Sequence, residues 1–282
     1  MTAPTAPVLA VVEHHDGRPR ASALELLTAG RSLGPVHAVW LGDPPDDAGP
    51  LAAHGAAVVH VVPVPTPEAG LPASVAAALA GLAEATGADV VLLASGFGAK
   101  EVAARLAHAT GAALMVDASA VERDGEGRVV TTQQAFAASW TLRSAAQVGR
   151  AVVTLRSNAV RATPAETPGA AEVRVAAPAR PADPRVRVVE RTARPASDRP
   201  DVGEADVVVV GGRGTQGDFS PVEDLADALG GAVGATRDVT DEGWQPHDVM
   251  VGQTGVTISP RLYVGAGVSG ALTVQEQAEL DR

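Results

Sequence analysis

Val207-Val208-Val209-Val210-Gly211-Gly212-Arg213-Gly214 opens the stretch whose reading decides the fold. It continues through Ala235-Thr236-Arg237 and Val251-Gly252-Gln253-Thr254-Gly255 to Gly267-Val268-Ser269-Gly270-Ala271. The valine run is apolar at every position, as a strand buried on both faces of a parallel sheet requires. Glycines directly after it let the chain turn and let a ligand approach the backbone. Ser220-Pro221-Val222-Glu223 then reads as a helix start, with Ser220 as cap, Pro221 at the first helical position and Glu223 completing a capping box. Gly230-Gly231 closes that helix. Strand, glycine loop and helix in this order form half of a nucleotide-binding unit, because anions settle at strand C-termini and helix N-termini. Three such loops, each beside a hydroxyl or an arginine, read as a cradle for an extended phosphate-bearing ligand.

Outward from this segment, composition bounds the answer. The 282 residues are 46% hydrophobic and 20% charged, enough for two domains with their own cores. The absence of cysteine rules out disulfides, iron-sulfur ligation and thiol catalysis within the chain. A net charge of -11 argues against nucleic acid as partner, since phosphate binding needs a basic face. The arginines are scattered, and Lys100 is the single lysine. The N-terminus lacks a basic n-region, and the run Val8 to Val12 is too short for a signal core or a membrane span. A cytoplasmic protein without membrane insertion is expected. The seven histidines show no metal-ligand spacing and read as surface or capping residues. Glu13 and Asp117 end strands, and loop solvation or capping accounts for them without catalysis.

From Val8 to about Leu155, short aliphatic runs alternate with alanine- and leucine-rich stretches, a βαβα pattern. Strands are expected at Val8 to Val12, Val36 to Leu41, Val58 to Val62, Val90 to Leu93 and Leu114 to Val116. Helices are expected at Ser22 to Leu33 with a Ser22/Glu25 capping box, at Pro72 to Thr86, and at Lys100 to Thr110 before Gly111. After Asp117 the runs Val129 to Thr132 and Val152 to Leu155 read as a β-rich tail. The division that follows is an N-terminal α/β domain over 1–162, a linker over 163–203 rich in proline, alanine and arginine with one strand-like run at Val186 to Val189, and a C-terminal α/β domain over 204–282.

The loop series, with Asp224-Leu225-Ala226-Asp227-Ala228-Leu229-Gly230 and Pro260-Arg261-Leu262-Tyr263 between its members, resembles in order and spacing the C-terminal domain of the electron-transfer flavoprotein α subunit, the FixB-like family. The N-terminal half resembles that family more loosely, in Val11-Val12-Glu13-His14, in Ala23-Leu24-Glu25-Leu26-Leu27, in Ala88-Asp89-Val90-Val91-Leu92-Leu93 and in Arg105-Leu106-Ala107. The resemblance implies a parallel-sheet α/β domain of nucleotide α-hydrolase-like type followed by an α/β FAD-binding domain of DHS-like type. It implies FAD as cofactor, an electron-transfer flavoprotein β-type subunit as partner, flavin dehydrogenases as electron donors, and no substrate turnover of its own. Aromatic residues make up 2% of the chain, so stacking on the flavin ring is expected to come largely from the partner.

By the same resemblance, the cofactor-binding residues are Arg213, Thr236, Arg237, Val251, Gly252, Gln253, Thr254, Ser269, Gly270 and Ala271. Arg237 is implied to lie over the flavin ring and Arg213 to touch the cofactor; a guanidinium there favours the anionic reduced forms by Coulomb attraction. The alternative for either arginine is a surface ion pair with Asp238 or Asp241. Gln253 and Thr254 supply an amide and a hydroxyl, Thr254 near flavin N5, and Ser269 and Gly270 supply donors for the pyrophosphate. Thr273, Val274 and Val256 stand where typical members carry glutamine, histidine and lysine, and members continue into a segment that holds the adenosine half. The C-terminal domain is therefore expected to be incomplete relative to the family. A second reading stays open, a subunit that assembles with a β-type partner and holds little or no flavin. A third, an NAD-dependent oxidoreductase, rests on Gly265-Ala266-Gly267-Val268-Ser269-Gly270; it lacks the second strand with an acidic residue about 20 positions on that such a fingerprint needs.

Overall fold

The computed structural model describes residues 6–136, 139–167, 169–183, 185–192, 198–252 and 254–269. The chain forms two compact units, Met1–Arg191 and Thr192–Arg282.

In the first unit the central strand is β1 (Val8–Val12), buried at all five positions. A two-residue hairpin follows, β2 (His14–His15) against β3 (Arg18–Pro19), and then α1 (Ala21–Gly30). The chain continues through β4 (Val36–Leu41), α2 (Gly49–Ala53), β5 (Ala56–Val62), α3 (Pro72–Thr86), β6 (Val90–Ala94) and α4 (Phe97–Thr110). It ends in β7 (Ala113–Arg123), β8 (Val129–Ala135), β9 (Trp140–Ala145), β10 (Ala151–Leu155) and β11 (Glu172–Val175). These strands build one sheet in the order β11-β5-β4-β1-β6-β10-β7-β8-β9. β1 runs parallel to both β4 and β6, with Val8 opposite Val36 and Val90. Because side chains alternate across a strand, Val8, Ala10 and Val12 join Leu26, Leu27 and Trp40 in one core layer, while Leu9 and Val11 join Leu79 and Leu106 in the other. Helices thus cover both faces, which explains why the strands read as unbroken apolar runs.

The sheet changes direction at β7, which is parallel to β10 at its start and antiparallel to β8 afterwards. Asp117 sits at the change, with φ +55, and its amide donates to Thr154 Oγ1 at 2.9 Å. Its carboxylate accepts from Ser95 Oγ and, at 2.8 Å, from Lys100 Nζ. The single lysine of the chain therefore ties the first turn of α4 to the bend in β7.

Local motifs yielded to tertiary contacts at two helix starts. Helix α1 begins after Arg20 with no side-chain cap. Ser22 Oγ donates instead to Glu13, and the buried Glu25 carboxylate accepts the Asn158 amide at 2.8 Å, so the expected capping box does not form. The strand-like run Val186 to Val189 is not a strand: the Val188 amide donates to the Glu68 carboxylate. The strand in this region is β11, parallel to the outer edge of β5, where Glu172 to Val175 offer consecutive amides without proline. Ala179 beyond it is buried in the core of the first unit. Two histidines also depart from the surface expectation, since His60 is buried and its Nε2 lies 3.1 Å from Nδ1 of His37 on the neighbouring strand.

The second unit is smaller. Its strands are β12 (Val207–Gly211), β13 (Ala232–Ala235) and β14 (Leu262–Ala266), all parallel, in the order β13-β12-β14. Its helices are α5 (Ser220–Leu229) and α6 (Arg237–Asp241). Val209, Phe219, Val222, Ala226 and Val233 form the core on one face of the sheet, and Val202, Ala205, Val208, Val210 and Ile258 form it on the other. Helix α5 starts after Phe219 and has no side-chain cap, so Ser220 and Glu223 do not form the expected box. The reason is Phe219, which is buried under Gly211 and fixes the entry of the helix by packing.

Candidate functional site

Three strands of the second unit end side by side, and each is followed by a turn that carries polar side chains. Gly211 closes β12, Ala235 closes β13, and Ala266 closes β14, in register across the sheet. The carboxyl end of a parallel sheet is where open α/β folds bind ligands.

The turns after β12 and β14 are built against each other. Gly212 N–H donates to Ala266 O at 2.8 Å and Gly214 N–H to Gly267 O at 2.9 Å. A Cβ on Gly212 would lie 2.4 Å from the Gly267 carbonyl oxygen, and Gly267 itself has φ +66, so this close approach needs glycine on both sides. Arg213 emerges from this contact at the start of a single 3-10 turn, Arg213–Thr215, with its side chain exposed. Trp244 packs beneath Gly217 on the same loop.

The turn after β13 is tied to the first by the Thr236 amide, which donates to Gly211 O at 3.0 Å. Thr236 is extended and precedes α6, and its hydroxyl makes no capping hydrogen bond. Arg237 opens α6. Next to it lies the loop Val251 to Val256, docked on the end of β13 through Val251 N–H to Ala235 O at 2.9 Å. That loop closes on itself through Val256 N–H to Met250 O at 2.7 Å, and Gly255 packs so tightly on the Met250 carbonyl that a Cβ would fall 2.1 Å from it.

Arg213, Thr236, Arg237, Val251, Gly252, Thr254 and Ser269 thus lie on turns at one edge of one sheet. Gln253, Gly270 and Ala271 lie outside the described residues, as do Thr273 and Val274. Both arginines carry the ion pairs that formed the alternative reading. Arg213 Nη1 is 4.0 Å from Asp238 Oδ2, and Arg237 Nε is 3.2 Å from Asp241 Oδ2. All four side chains are more than half exposed, so the pairs are screened by water and leave the guanidinium groups open to a stronger anion.

Tyr263 on β14 enters the sequence pattern only as part of the family resemblance, with no role assigned to it. Its hydroxyl is buried without a hydrogen-bond partner among the described residues, and burial raises the phenol above its ordinary pKa. An aromatic followed two residues later by a glycine on the same face of a strand was the available signal, since Gly265 opens space beside the ring. Gly265 itself is a strand residue opposite Val210, so the apparent dinucleotide fingerprint begins inside β14 and not at a turn. Among the described residues no group of three or more His, Cys, Asp or Glu side chains is placed to hold a metal ion, and no helix is long and apolar enough to cross a membrane.

The donor set fits a phosphate-bearing ligand such as a dinucleotide. Two exposed guanidinium groups suit phosphate, and the hydroxyls of Thr236, Thr254 and Ser269 suit hydrogen bonds to its oxygens.

Comparison with known proteins gives the same region. Residues 201–276 match the family model described as the electron transfer flavoprotein FAD-binding domain, and residues 8–181 match the electron transfer flavoprotein domain. The chain is 40% identical over 272 residues to the electron transfer flavoprotein subunit alpha of Mycobacterium leprae, covering 95% of this chain and 84% of that one. It is 41% identical over 273 residues to the subunit of the same description from Mycobacterium tuberculosis, with the same coverage, and 35% identical over 266 residues to that of Syntrophomonas wolfei, covering 93% and 83%.

Proposed function

The chain belongs to the electron transfer flavoprotein α-subunit family, and on that premise we propose that it binds FAD in its second unit, pairs with a β-type subunit and carries electrons from flavin-dependent dehydrogenases to an acceptor. The observation that carries this reading is the gathering of Arg213, Thr236, Arg237, Thr254 and Ser269 at one strand edge, within the region matched to the FAD-binding domain.

Bound FAD supplies the capacity to take up and release electrons. The chain supplies the rest. Arg237 and Arg213 present positive charge at the strand ends, where it stabilises the negative charge that reduction adds. Thr254 Oγ1 offers both a donor and an acceptor for a ring nitrogen whose proton load changes on reduction. Ser269 and the turn after β14 serve the diphosphate, and the interlocked Gly212 and Gly267 turns fix the spacing between the diphosphate donors and the arginines. On this reading the chain works as an electron carrier.

The test is to co-express the chain with a β-type subunit, purify the complex, and follow anaerobic electron flow from a flavin dehydrogenase to a dye. Flow that depends on the complex supports the carrier role. A stable complex without flavin would contradict it and favour a purely assembling subunit.

A further inference from the structure

Asp238 reaches from the first turn of α6 to the loop after β12, where its carboxylate lies 4.0 Å from the Arg213 guanidinium. The neighbouring Arg237 has its own carboxylate in Asp241, at 3.2 Å and one turn along the same helix. The two arginines that give the strand edge its positive charge are thus each faced by one negative charge. Exposed pairs of this kind add little to folding. Their effect on a nearby ligand is different, because a carboxylate a few ångströms from a guanidinium offsets part of its field at the distance of a bound molecule, even where water screens the pair.

We propose that Asp238 is a positioning residue for the cofactor site: it holds the Arg213 side chain toward α6 and offsets its charge, which weakens the pull on the FAD diphosphate and lowers the reduction midpoint. The inference rests on the FAD-carrier reading. A merely structural Asp238, an acid in the first turn of α6 that supports the helix dipole, would change stability alone.

Asp206 and Arg261 provide a control, since they form a similarly spaced and still more exposed pair at 3.9 Å before β12 and β14, at the opposite edge of the same sheet. The complex with a β-type subunit is prepared as wild type, Asp238→Asn, Asp238→Glu and Asp206→Asn, and each is assayed for FAD affinity by fluorescence titration and for midpoint by dye-coupled reduction. Asp238→Asn is expected to bind FAD roughly two- to fivefold more tightly and to move the midpoint upward. Asp238→Glu, which keeps the charge, is expected to match wild type, so a loss of fold in one variant is separated from the loss of charge. Asp206→Asn is expected to leave both quantities unchanged. A wild-type complex that binds no FAD would overturn both this proposal and the carrier reading. A flavin-bound wild type in which Asp238→Asn behaves like Asp206→Asn would overturn the role of Asp238 alone.

Discussion

Gly214 donates its amide to the carbonyl oxygen of Gly267 at 2.9 Å, which locks the turn after the central strand of the second unit to the turn after its neighbour. The two turns belong to segments more than fifty residues apart, yet they share one backbone surface. The geometry of the candidate site depends on that contact, because the turns carrying Arg213 and Ser269 are set by it.

Gly212→Ala tests the contact directly. The added methyl meets a backbone carbonyl at 2.4 Å, which has no flexible end to move aside, so one of the turns must shift. The expected cost is roughly 1–3 kcal/mol in the urea unfolding of the second unit, with loss of retained flavin. Gly81→Ala is the contrast. Gly81 lies within α3 with no atom within 4 Å of the added methyl, and the substitution is expected to stabilise the first unit by about 0.5–1 kcal/mol.

His60 makes the first unit sensitive to acid. Burial, then the neighbouring His37 and Arg174, lower its pKa from 6.5 to about 4, with Glu172 pulling the other way; burial and Arg174 lower His37 as well. A histidine whose folded pKa is depressed takes up its proton more readily when unfolded. Its contribution is therefore fully present above pH 6.5 and is lost as pH falls from 6.5 toward 4, by an amount on the order of 3 kcal/mol. His60→Gln is expected to flatten the pH dependence of the denaturation midpoint in that window. An unchanged slope between pH 6.5 and 5 would contradict the assignment.

Asp117 carries a second, milder dependence. Burial pushes its carboxyl up, but hydrogen bonds from Lys100 and Ser95 and the charges of Lys100 and Arg156 outweigh it and hold the pKa below its ordinary value. Its stabilising share is present above the ordinary carboxylate range and is lost as pH falls through the lowered value. Asp117→Ala also places a less suitable residue at φ +55, so it is expected to cost about 1–2 kcal/mol and Asp117→Asn distinctly less, since asparagine tolerates that backbone region. Equal losses from the two variants would show that the backbone conformation contributes nothing.

Arg237→Ala is expected to lower the reduction midpoint of the bound flavin, whereas Arg237→Lys is expected to retain most of the wild-type value because the charge is kept. Titration of the purified complex with a reductant and a reference dye checks both.

Much of the fold was legible because burial on both faces writes itself into sequence as unbroken apolar runs. Val36 to Leu41 and Pro72 to Thr86 form the strand and helix expected of them. The helices at Ser22 and Ser220 form, the second starting at Ser220 itself, but their capping boxes do not: Glu13 and Asn158 engage the side chains of Ser22 and Glu25, and the packing of Phe219 sets the entry of the second. Edge strand β11 was missed because its pairing depends on which side of β5 is left open, and that is a property of the assembled sheet. The glycine loops of the candidate site announced themselves through spacing. Their mutual contact did not, since it depends on strand order, which a linear pattern does not carry; the pairing of Arg213 with Asp238 stood in the sequence only as the alternative to a cofactor role.

The central claim is that the second unit holds FAD. Its most direct test is the flavin content of the complex with a β-type subunit, measured against protein after gel filtration, for wild type and for Gly212→Ala. The account predicts FAD bound in stoichiometric amount to wild type and lost from the variant. A wild-type complex that is folded, stable and colourless would contradict it.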